Sequence, residues 1–270
     1  MPGMDAGTTA GLRPCVLITG ASSGIGHAFA DRLSGEGHDL IAVARDGVRL
    51  ERLQERLSKR DGSHVEVVVA DLSDRSDLRR VECIVRERAL VMLINNAGAG
   101  TYKTFAEDDP EEMDAAVALN VIAPMRLTRA ALPGMIAAGR GDVVNVASIS
   151  AFSANPGGGN YKATKAYIAS LTEVLHSEVK DTGVRMQALI PWFIRTEIFQ
   201  RAGIDVSHVP DTHWMSPEDV VQASLSGLRL GEILCVPGLE DSSVISEFTG
   251  LRAQISARLT GTLASRYRSG

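Results

Sequence analysis

A tyrosine and a lysine four residues apart carry the clearest chemistry in this sequence. In GNYKATKAY, residues 159–167, Tyr161 and Lys165 fall on one face of a predicted helix. A free phenol has a pKa of about 10, so near pH 7 it is a poor proton donor and a worse base. An ammonium group close to its oxygen would lower that pKa. Lys162 is the less suitable partner, because one residue along a helix turns its side chain by about 100°.

The strength of this pairing depends on how well water is excluded. Moving a phenol pKa from about 10 to about 7 takes roughly 4 kcal/mol. A unit charge about 4 Å away supplies about 4 kcal/mol at an effective dielectric of 20, but only about 1 kcal/mol in water. The pair therefore predicts a partly desolvated site, which a bound cofactor and an aromatic segment would provide.

A glycine-rich turn, TGASSGIG, follows the first predicted strand and opens the first predicted helix. Its glycines allow a tight turn and close approach of a pyrophosphate, which the free N–H groups and the dipole of the helix would attract. Simple turn chemistry is the alternative, but the strand before and the helix after favour a dinucleotide site. The predicted contacts in this turn are Gly20, Ser22, Ser23, Gly24, Ile25 and Gly26.

Further candidate cofactor residues follow the next strands. At the end of the second strand an acid would accept the ribose hydroxyls of NAD, whereas Arg45 favours the 2′-phosphate of NADP; Asp46 beside it complicates the local charge. Asp71, followed by Leu72, either accepts from the adenine amino group or caps the next turn. After the fourth strand, the small residues of NNAG (95–98) allow close backbone approach, which makes candidates of Asn96, Ala97 and Gly98.

The elements that must position these residues alternate regularly. Seven short, nearly continuous apolar runs read as strands covered on both faces, and six longer amphipathic stretches between them read as helices. We predict an α/β fold of the Rossmann type: a doubly wound, mainly parallel seven-stranded sheet with helices on both faces and ligands at the carboxyl ends of the strands. The predicted strands are 15–19, 39–44, 64–70, 91–94, 142–147, 184–190 and 232–236, and the predicted helices are 25–34, 48–60, 75–88, 110–137, 159–181 and 216–229.

Composition narrows the function classes. The chain has 270 residues and a net charge of −5, without a basic block over its body, so nucleic acid is an unexpected partner. Its three cysteines are far apart, which predicts neither disulfides nor a metal site and fits a reducing cytoplasm. The start has no apolar core typical of a signal peptide, and no apolar run approaches the roughly 20 residues of a membrane span.

We expect three regions along the chain: a flexible tail (1–13), a single catalytic domain (14–243) and a C-terminal amphipathic helix (244–270). Within the domain, the segment 192–215 carries both tryptophans, together with Phe193 and Phe199, and we interpret it as a substrate lid. An irregular segment packed on the body is the alternative. The apolar stripe of the C-terminal helix is expected to pack on the domain or on another subunit, with a membrane surface as the alternative.

Taken together, these motifs resemble the short-chain dehydrogenase/reductase family in its shorter, one-domain form. The resemblance rests on TGASSGIG, Asp71, NNAG, ALNVIAP, NVASIS and YKATK in this order, and it extends from about residue 14 to residue 238. It implies a catalytic set of Asn120, Ser148, Tyr161 and Lys165. The family spacing points to Ser148, thirteen residues before Tyr161, while Ser150 remains a competitor that strand geometry cannot separate from it.

The family resemblance also implies roles. Ser148 would hold a substrate carbonyl oxygen while NADPH gives hydride to its carbon and Tyr161 donates the proton; in alcohol oxidation Tyr161 would be the base. Tyr161 and Lys165 would also contact the cofactor, and Asn120 would hold a water that passes protons to Lys165. The alternative for Asn120 is a core-facing amide bonded to a carbonyl.

After the sixth strand, where the family usually has Pro-Gly, this chain has Pro191 followed by Trp192. Pro191, Ile194 and Thr196 are expected cofactor contacts by resemblance. Trp192 cannot easily adopt backbone angles open only to glycine, so this loop is expected to differ locally.

The expected function is that of an NADP-dependent ketone or aldehyde reductase or alcohol dehydrogenase, acting on a small, largely apolar substrate. We expect it to be a cytoplasmic homodimer or homotetramer. A non-catalytic NADP-binding sensor on the same fold is the alternative, and a nucleotide-sugar epimerase would need a longer chain and different glycine spacing.

Overall fold

A parallel β-sheet forms the centre of the protein. The structure, a computed structural model, describes residues 13–197, 205–207 and 209–268. Seven strands form one parallel sheet in the order β3-β2-β1-β4-β5-β6-β9, and the short β7 and β8 pair with each other. The strands are Cys15–Thr19 (β1), Asp39–Ala44 (β2), Val65–Val69 (β3), Leu90–Asn95 (β4), Gly141–Val146 (β5), Val184–Leu189 (β6), Phe193–Ile194 (β7), Trp214–Met215 (β8) and Leu234–Cys235 (β9).

Helices cover both faces of the sheet, which explains why its strands are apolar throughout. One core cluster joins the sheet to α1, α2 and α7, and the other joins it to α3, α5 and α6. The predicted α/β doubly wound architecture is thereby confirmed. The helices are Gly24–Gly35 (α1), Gly47–Asp61 (α2), Arg75–Glu87 (α3), Pro110–Val117 (α4), Ala123–Ala137 (α5), Gly159–Val179 (α6), Pro217–Leu230 (α7) and Ser243–Ala257 (α8).

The strand order reverses between β1 and β4, which places a crevice at their carboxyl ends. Side chains and backbone of the two strand ends are joined there. The Thr19 hydroxyl accepts hydrogen bonds from the backbone N–H groups of Asn96 (2.9 Å) and Ala97 (3.0 Å). The Asn96 amide donates back to the Thr19 carbonyl at 2.9 Å. The glycine-rich turn and the NNAG segment therefore form one rigid edge of the crevice.

The predicted helix 110–137 is interrupted. It consists of α4, a π-helical turn over Ala118–Ile122, and α5. The start follows the predicted pattern, since the Asp109 carboxylate caps the N–H groups of Glu111 and Glu112. The π turn was not predicted, and it carries Asn120, in agreement with the tendency of such turns to occur at functional sites.

Residues Gly238–Gly270 form a separate compact unit. Its helix α8 begins at Ser243 and ends at Ala257, so it is shorter than the predicted helix 244–270. A single 3-10 turn, Ser265–Tyr267, follows. None of the residues of α8 is buried. The predicted packing of its apolar stripe stays a prediction.

One helical stretch of the described residues passes a length and composition test for a membrane span. It is Pro110–Ala137, and 44% of its most apolar window is buried inside the protein. A helix that packs against α3 and α6 in the core of a folded domain passes the same test, so this is weak evidence for a membrane location.

Candidate active site

Tyr161 and Lys165 lie one turn apart in α6, as predicted, and both are buried. Gly158, at φ +64°, precedes the helix and turns the chain into it. The exposed fractions are 9% for Tyr161 and 5% for Lys165. The Lys165 ammonium donates to the Val146 carbonyl at 2.8 Å and lies 5.7 Å from the centre of the Tyr161 ring. The pair thus occupies the desolvated environment that its chemistry requires.

Burial shifts the pKa values of this pair in opposite directions. It raises the pKa of Tyr161, an effect to which Tyr102 adds and which a hydrogen bond with Ser148 opposes. It lowers the pKa of Lys165 from 10.5 to about 8. The net shift of the phenol pKa in the protein on its own is therefore upward, opposite to the predicted direction, because desolvation of the phenolate dominates. At pH 7 the phenol holds its proton, as a proton donor must.

The two candidate serines follow β5, and the structure separates them. Ser148 lies close enough to Tyr161 to oppose the rise of the phenol pKa, and its hydroxyl accepts from the Ser150 N–H at 3.1 Å. The Ser150 hydroxyl instead lies 3.5 Å from the Tyr102 hydroxyl. Both serines line the cavity beside Tyr161. The contact to the phenol makes Ser148 the better placed of the two, which agrees with the family spacing.

The side chain of Asn120 is fully engaged in holding neighbouring segments. Its amide donates to the Ala99 carbonyl (2.7 Å) and the Thr164 hydroxyl (3.0 Å), and its oxygen accepts from the Ala99 N–H (3.0 Å). This is the core-facing alternative of the sequence analysis. The π turn therefore fixes the segment after β4 against α6, and a water relay to Lys165 stays a prediction.

A cavity of about 560 Å³ opens beside the phenol. One part of its lining, the apolar wall, consists of Trp192, Phe193 and Val206, and another part, the polar wall, carries polar side chains. Lys162 belongs to the polar wall, although it lies off the Tyr161–Lys165 face. Pro191 and Ile194 also line this cavity, and Thr196 lines both it and the neighbouring groove.

Two residues that sequence reasoning missed shape the floor of this cavity. A side chain at Gly100 would place its Cβ 2.3 Å from the Tyr161 ring, so only glycine fits there. The Tyr102 ring lies 5.6 Å from the Tyr161 ring, tilted by 41°. Both follow NNAG by a few residues, and that proximity was the only signal in the sequence.

A groove of about 580 Å³ runs along the carboxyl ends of β1, β2, β3 and β4. Its glycine cradle fits a dinucleotide. Gly20 and Gly24 have φ of +67° and +56°, and a Cβ at Gly24 would lie 3.0 Å from the Thr196 side chain. Gly26 does not line the groove; a Cβ there would lie 2.4 Å from the Gly20 carbonyl, so it serves the turn. The other predicted contacts that line the groove are Ser22, Ser23, Ile25, Arg45, Asp71, Leu72, Asn96, Ala97 and Gly98.

Charged groups gather at the β2–β3 end of the groove. Arg45 is exposed, and its guanidinium lies 3.6 Å from the Asp71 carboxylate. Asp71 also accepts from the Ser73 N–H and hydroxyl, which is the turn-capping alternative. Arg49 joins α2 to Glu197, just beyond Thr196, at 2.9 Å.

Trp192 adopts an ordinary backbone conformation. Among the described residues, only glycines have positive φ, so Trp192 does not take the backbone angles that are open only to glycine. Its ring stacks on His213 at 4.7 Å and on Phe193 at 5.2 Å. Trp192 thus anchors the start of the predicted lid. Phe199 lies outside the described residues, and the lid role of 192–215 stays a prediction.

A family model described as short chain dehydrogenase matches residues 14–206. The chain is a member of the short-chain dehydrogenase/reductase family. The motif-based resemblance is confirmed, and the protein is an oxidoreductase that uses a nicotinamide cofactor. The non-catalytic sensor is accordingly not supported.

Solved structures of this family resemble the enzyme closely. A short-chain dehydrogenase from Sphingobium yanoikuyae in complex with NADPH is 39% identical with a TM-score of 0.90, covering 94% of this chain and 100% of that one. A bulky-bulky ketone specific alcohol dehydrogenase from Comamonas testosteroni is 33% identical with a TM-score of 0.87, covering 95% and 99%. The very-long-chain 3-oxoacyl-CoA reductase of Anas platyrhynchos is 27% identical over 245 residues, 87% of this chain and 77% of that protein.

Proposed function

We propose that this short-chain dehydrogenase is an NADP-dependent carbonyl reductase or alcohol dehydrogenase for ketones or aldehydes with a largely apolar body. The observation that carries the proposal is the buried Tyr161, beside Ser148 and Lys165, at the floor of a cavity with an aromatic wall. The ketone specificity stated for the Comamonas testosteroni relative supports this class of substrate. The three cysteines, none of them paired, support a reducing cytoplasm.

In the proposed reduction, the groove that Gly20, Gly24 and Arg45 line would hold NADPH, whose chemistry would be to supply the hydride that the carbonyl carbon receives. Ser148 holds the carbonyl oxygen, and Tyr161 gives that oxygen its phenolic proton. The carbonyl thereby gains one hydride and one proton, which is two electrons and two protons in all, NADPH would become NADP⁺, and the phenolate recovers a proton from solvent. Lys165, a cation beside the phenol, stabilises the phenolate after transfer, and Gly100 leaves the space in which the Tyr161 ring sits.

The proposal is tested by NADPH consumption against a panel of aldehydes and aryl ketones. We expect Tyr161→Phe to retain cofactor binding and to lose at least about 100-fold in kcat, the ordinary contribution of a general acid. Ser148→Ala should lose far more than Ser150→Ala. Activity that survives Tyr161→Phe would contradict the proposal.

The preference for NADP over NAD is proposed from Arg45, which lies exposed at the β2–β3 end of the groove with one carboxylate contact at 3.6 Å. An arginine here favours the 2′-phosphate. The NADPH complex of the Sphingobium yanoikuyae relative supports this choice. Arg45→Asp should reverse the ratio of kcat/KM for NADPH and NADH, and an unchanged ratio would contradict the proposal.

A further inference from the structure

The substrate cavity has an unusual charge balance. Of the described residues that line it, two are lysines and none is acidic, whereas the whole chain has a net charge of −5. Lys165 belongs to the proton-transfer site. Lys162 has no part in that chemistry, and it adds a second cation to a partly enclosed space. Positive charges that line a cleft concentrate and orient negatively charged ligands.

Lys162 is held in place with donor capacity to spare. Its ammonium donates to the Asn155 carbonyl (2.5 Å) and to the Asn155 side-chain oxygen (2.8 Å), and Ser153 donates to that same side-chain oxygen. An ammonium group has three donors, so one remains. Within the described part of the chain, no carboxylate forms an ion pair with Lys162.

The position of Lys162 separates it from the cofactor. Neither Lys162 nor Asn155 lines the dinucleotide groove, and both line the substrate cavity. Trp192, Phe193 and Val206 form the apolar wall of the same cavity. The site thus offers one arm of a ketone an aromatic surface and the other arm a fixed positive charge.

We propose that the preferred substrates are oxo acids: ketones with an apolar group on one side of the carbonyl and a carboxylate on the other, bound by Lys162. This inference rests on the proposed carbonyl reductase function and deepens it. Lys162 is then a specificity residue, and the orientation of the two arms decides which face of the carbonyl meets the cofactor.

The test compares each acid with its methyl ester. The substrates are 4-oxo-4-phenylbutanoate, 5-oxo-5-phenylpentanoate and 6-oxo-6-phenylhexanoate, which place the carboxylate at three distances from the carbonyl. We expect the native enzyme to favour the acid at one chain length or more. Lys162→Gln keeps a donor for Asn155 but removes the charge, and should lower kcat/KM for that acid about tenfold or more while changing the ester less than about twofold. Lys162→Arg should retain the preference for the acid, and Lys59→Met, an exposed site on α2, should change neither.

The outcomes distinguish a failure of the Lys162 inference from a failure of the proposed reductase function. If Lys162→Gln lowers kcat/KM equally for acid and ester, Lys162 only stabilises the loop around Asn155 and the inference is overturned. A ratio of kcat/KM for acid and ester that stays unchanged in the variant would overturn it as well. Should Lys162→Gln fail to fold, rising ionic strength must lower kcat/KM of the native enzyme for the acid and not for the ester. If no ketone, ester or acid is reduced, the proposed function itself fails and this inference falls with it.

Discussion

At the scale of single residues, Tyr161, the proposed proton donor, is held in the protonated form that reduction requires. Burial holds Tyr161 in its protonated form and lowers the pKa of Lys165 to about 8. Since the described residues show no carboxylate beside Lys165, desolvation alone causes its shift. A buried ammonium without an anion destabilises the fold, so function and stability oppose each other at this position.

This opposition predicts a pH-dependent stability. Between about pH 8 and 10.5 the unfolded chain binds a proton at Lys165 that the folded chain does not. Burial of the charged lysine therefore lowers the free energy of unfolding most below pH 8, and this loss disappears as the pH rises to 10.5. This difference between the two pKa values corresponds to about 3 kcal/mol of unfolding free energy. We expect the unfolding free energy of Lys165→Met, measured relative to the native enzyme by urea denaturation, to fall by roughly this amount from pH 7.5 to pH 10.5.

The matched control is Lys59→Met, whose lysine is exposed and, among the residues that the structure describes, forms an ion pair only with Glu55. It should show no such trend. Groups remote from Lys165 titrate alike in the native enzyme and in the variant, so they cancel in the difference, and burial keeps Tyr161 protonated in the folded state of both. A stability difference for Lys165→Met that is constant with pH would show that the folded protein keeps Lys165 in an ordinary, hydrated state.

The residue spacing predicted a contact within one element, but it did not predict two contacts between residues of different segments of the chain. The four-residue spacing of Tyr161 and Lys165 is a property of one helix, so the sequence alone predicted the pair. The contact of Gly100 with the Tyr161 ring joins residues 61 positions apart in different elements. The hold of Asn155 on Lys162 depends equally on the path of a loop, and neither contact leaves a periodic pattern to read.

At the scale of elements, the seven strands of the main sheet and most helices were predicted to within about two residues at each end, whereas the short β7 and β8 were not predicted. Buried parallel strands are continuous apolar runs, and caps such as Asp109 and Ser216 mark helix starts in the sequence. The π turn at Ala118–Ile122 escaped prediction, because its apolar spacing does not differ from that of an α-helix and its geometry depends on the packing of Asn120 between two other segments.

The segment that follows β6 carries a prediction of its own. Trp192 is 53% exposed, lines the cavity and stacks on His213 and Phe193. Trp192→Ala should widen the apolar wall and raise kcat/KM for a bulky diaryl ketone relative to acetophenone by about tenfold, the usual range for a change in an apolar pocket. Trp214→Ala is the comparison, because that ring packs on Phe193 at 5.5 Å without lining the cavity. The same shift in both variants would point to general loosening of the segment.

At the scale of the whole molecule, α5 and α6 carry large apolar side chains that are exposed to solvent. Large apolar side chains are exposed at Ile136 on α5 and at Tyr167 and Val174 on α6. The Tyr167 hydroxyl donates to the Met125 sulfur at 3.4 Å, so the two helices form one continuous surface. Exposed apolar patches of this kind mark association sites. The surface supports the predicted homo-oligomer.

The oligomer is tested by light scattering coupled to size exclusion. We expect the native chain of 28.8 kDa to give a mass of two or four chains. Ile136→Glu combined with Val174→Glu should lower that mass towards one chain, because charges at a closely packed apolar contact are desolvated without partners. Leu230→Glu, at a side chain 77% exposed on α7, should leave the mass unchanged. A native enzyme that elutes with the mass of one chain would exclude the oligomer. A double variant that keeps the native mass would show that the subunits associate through another surface.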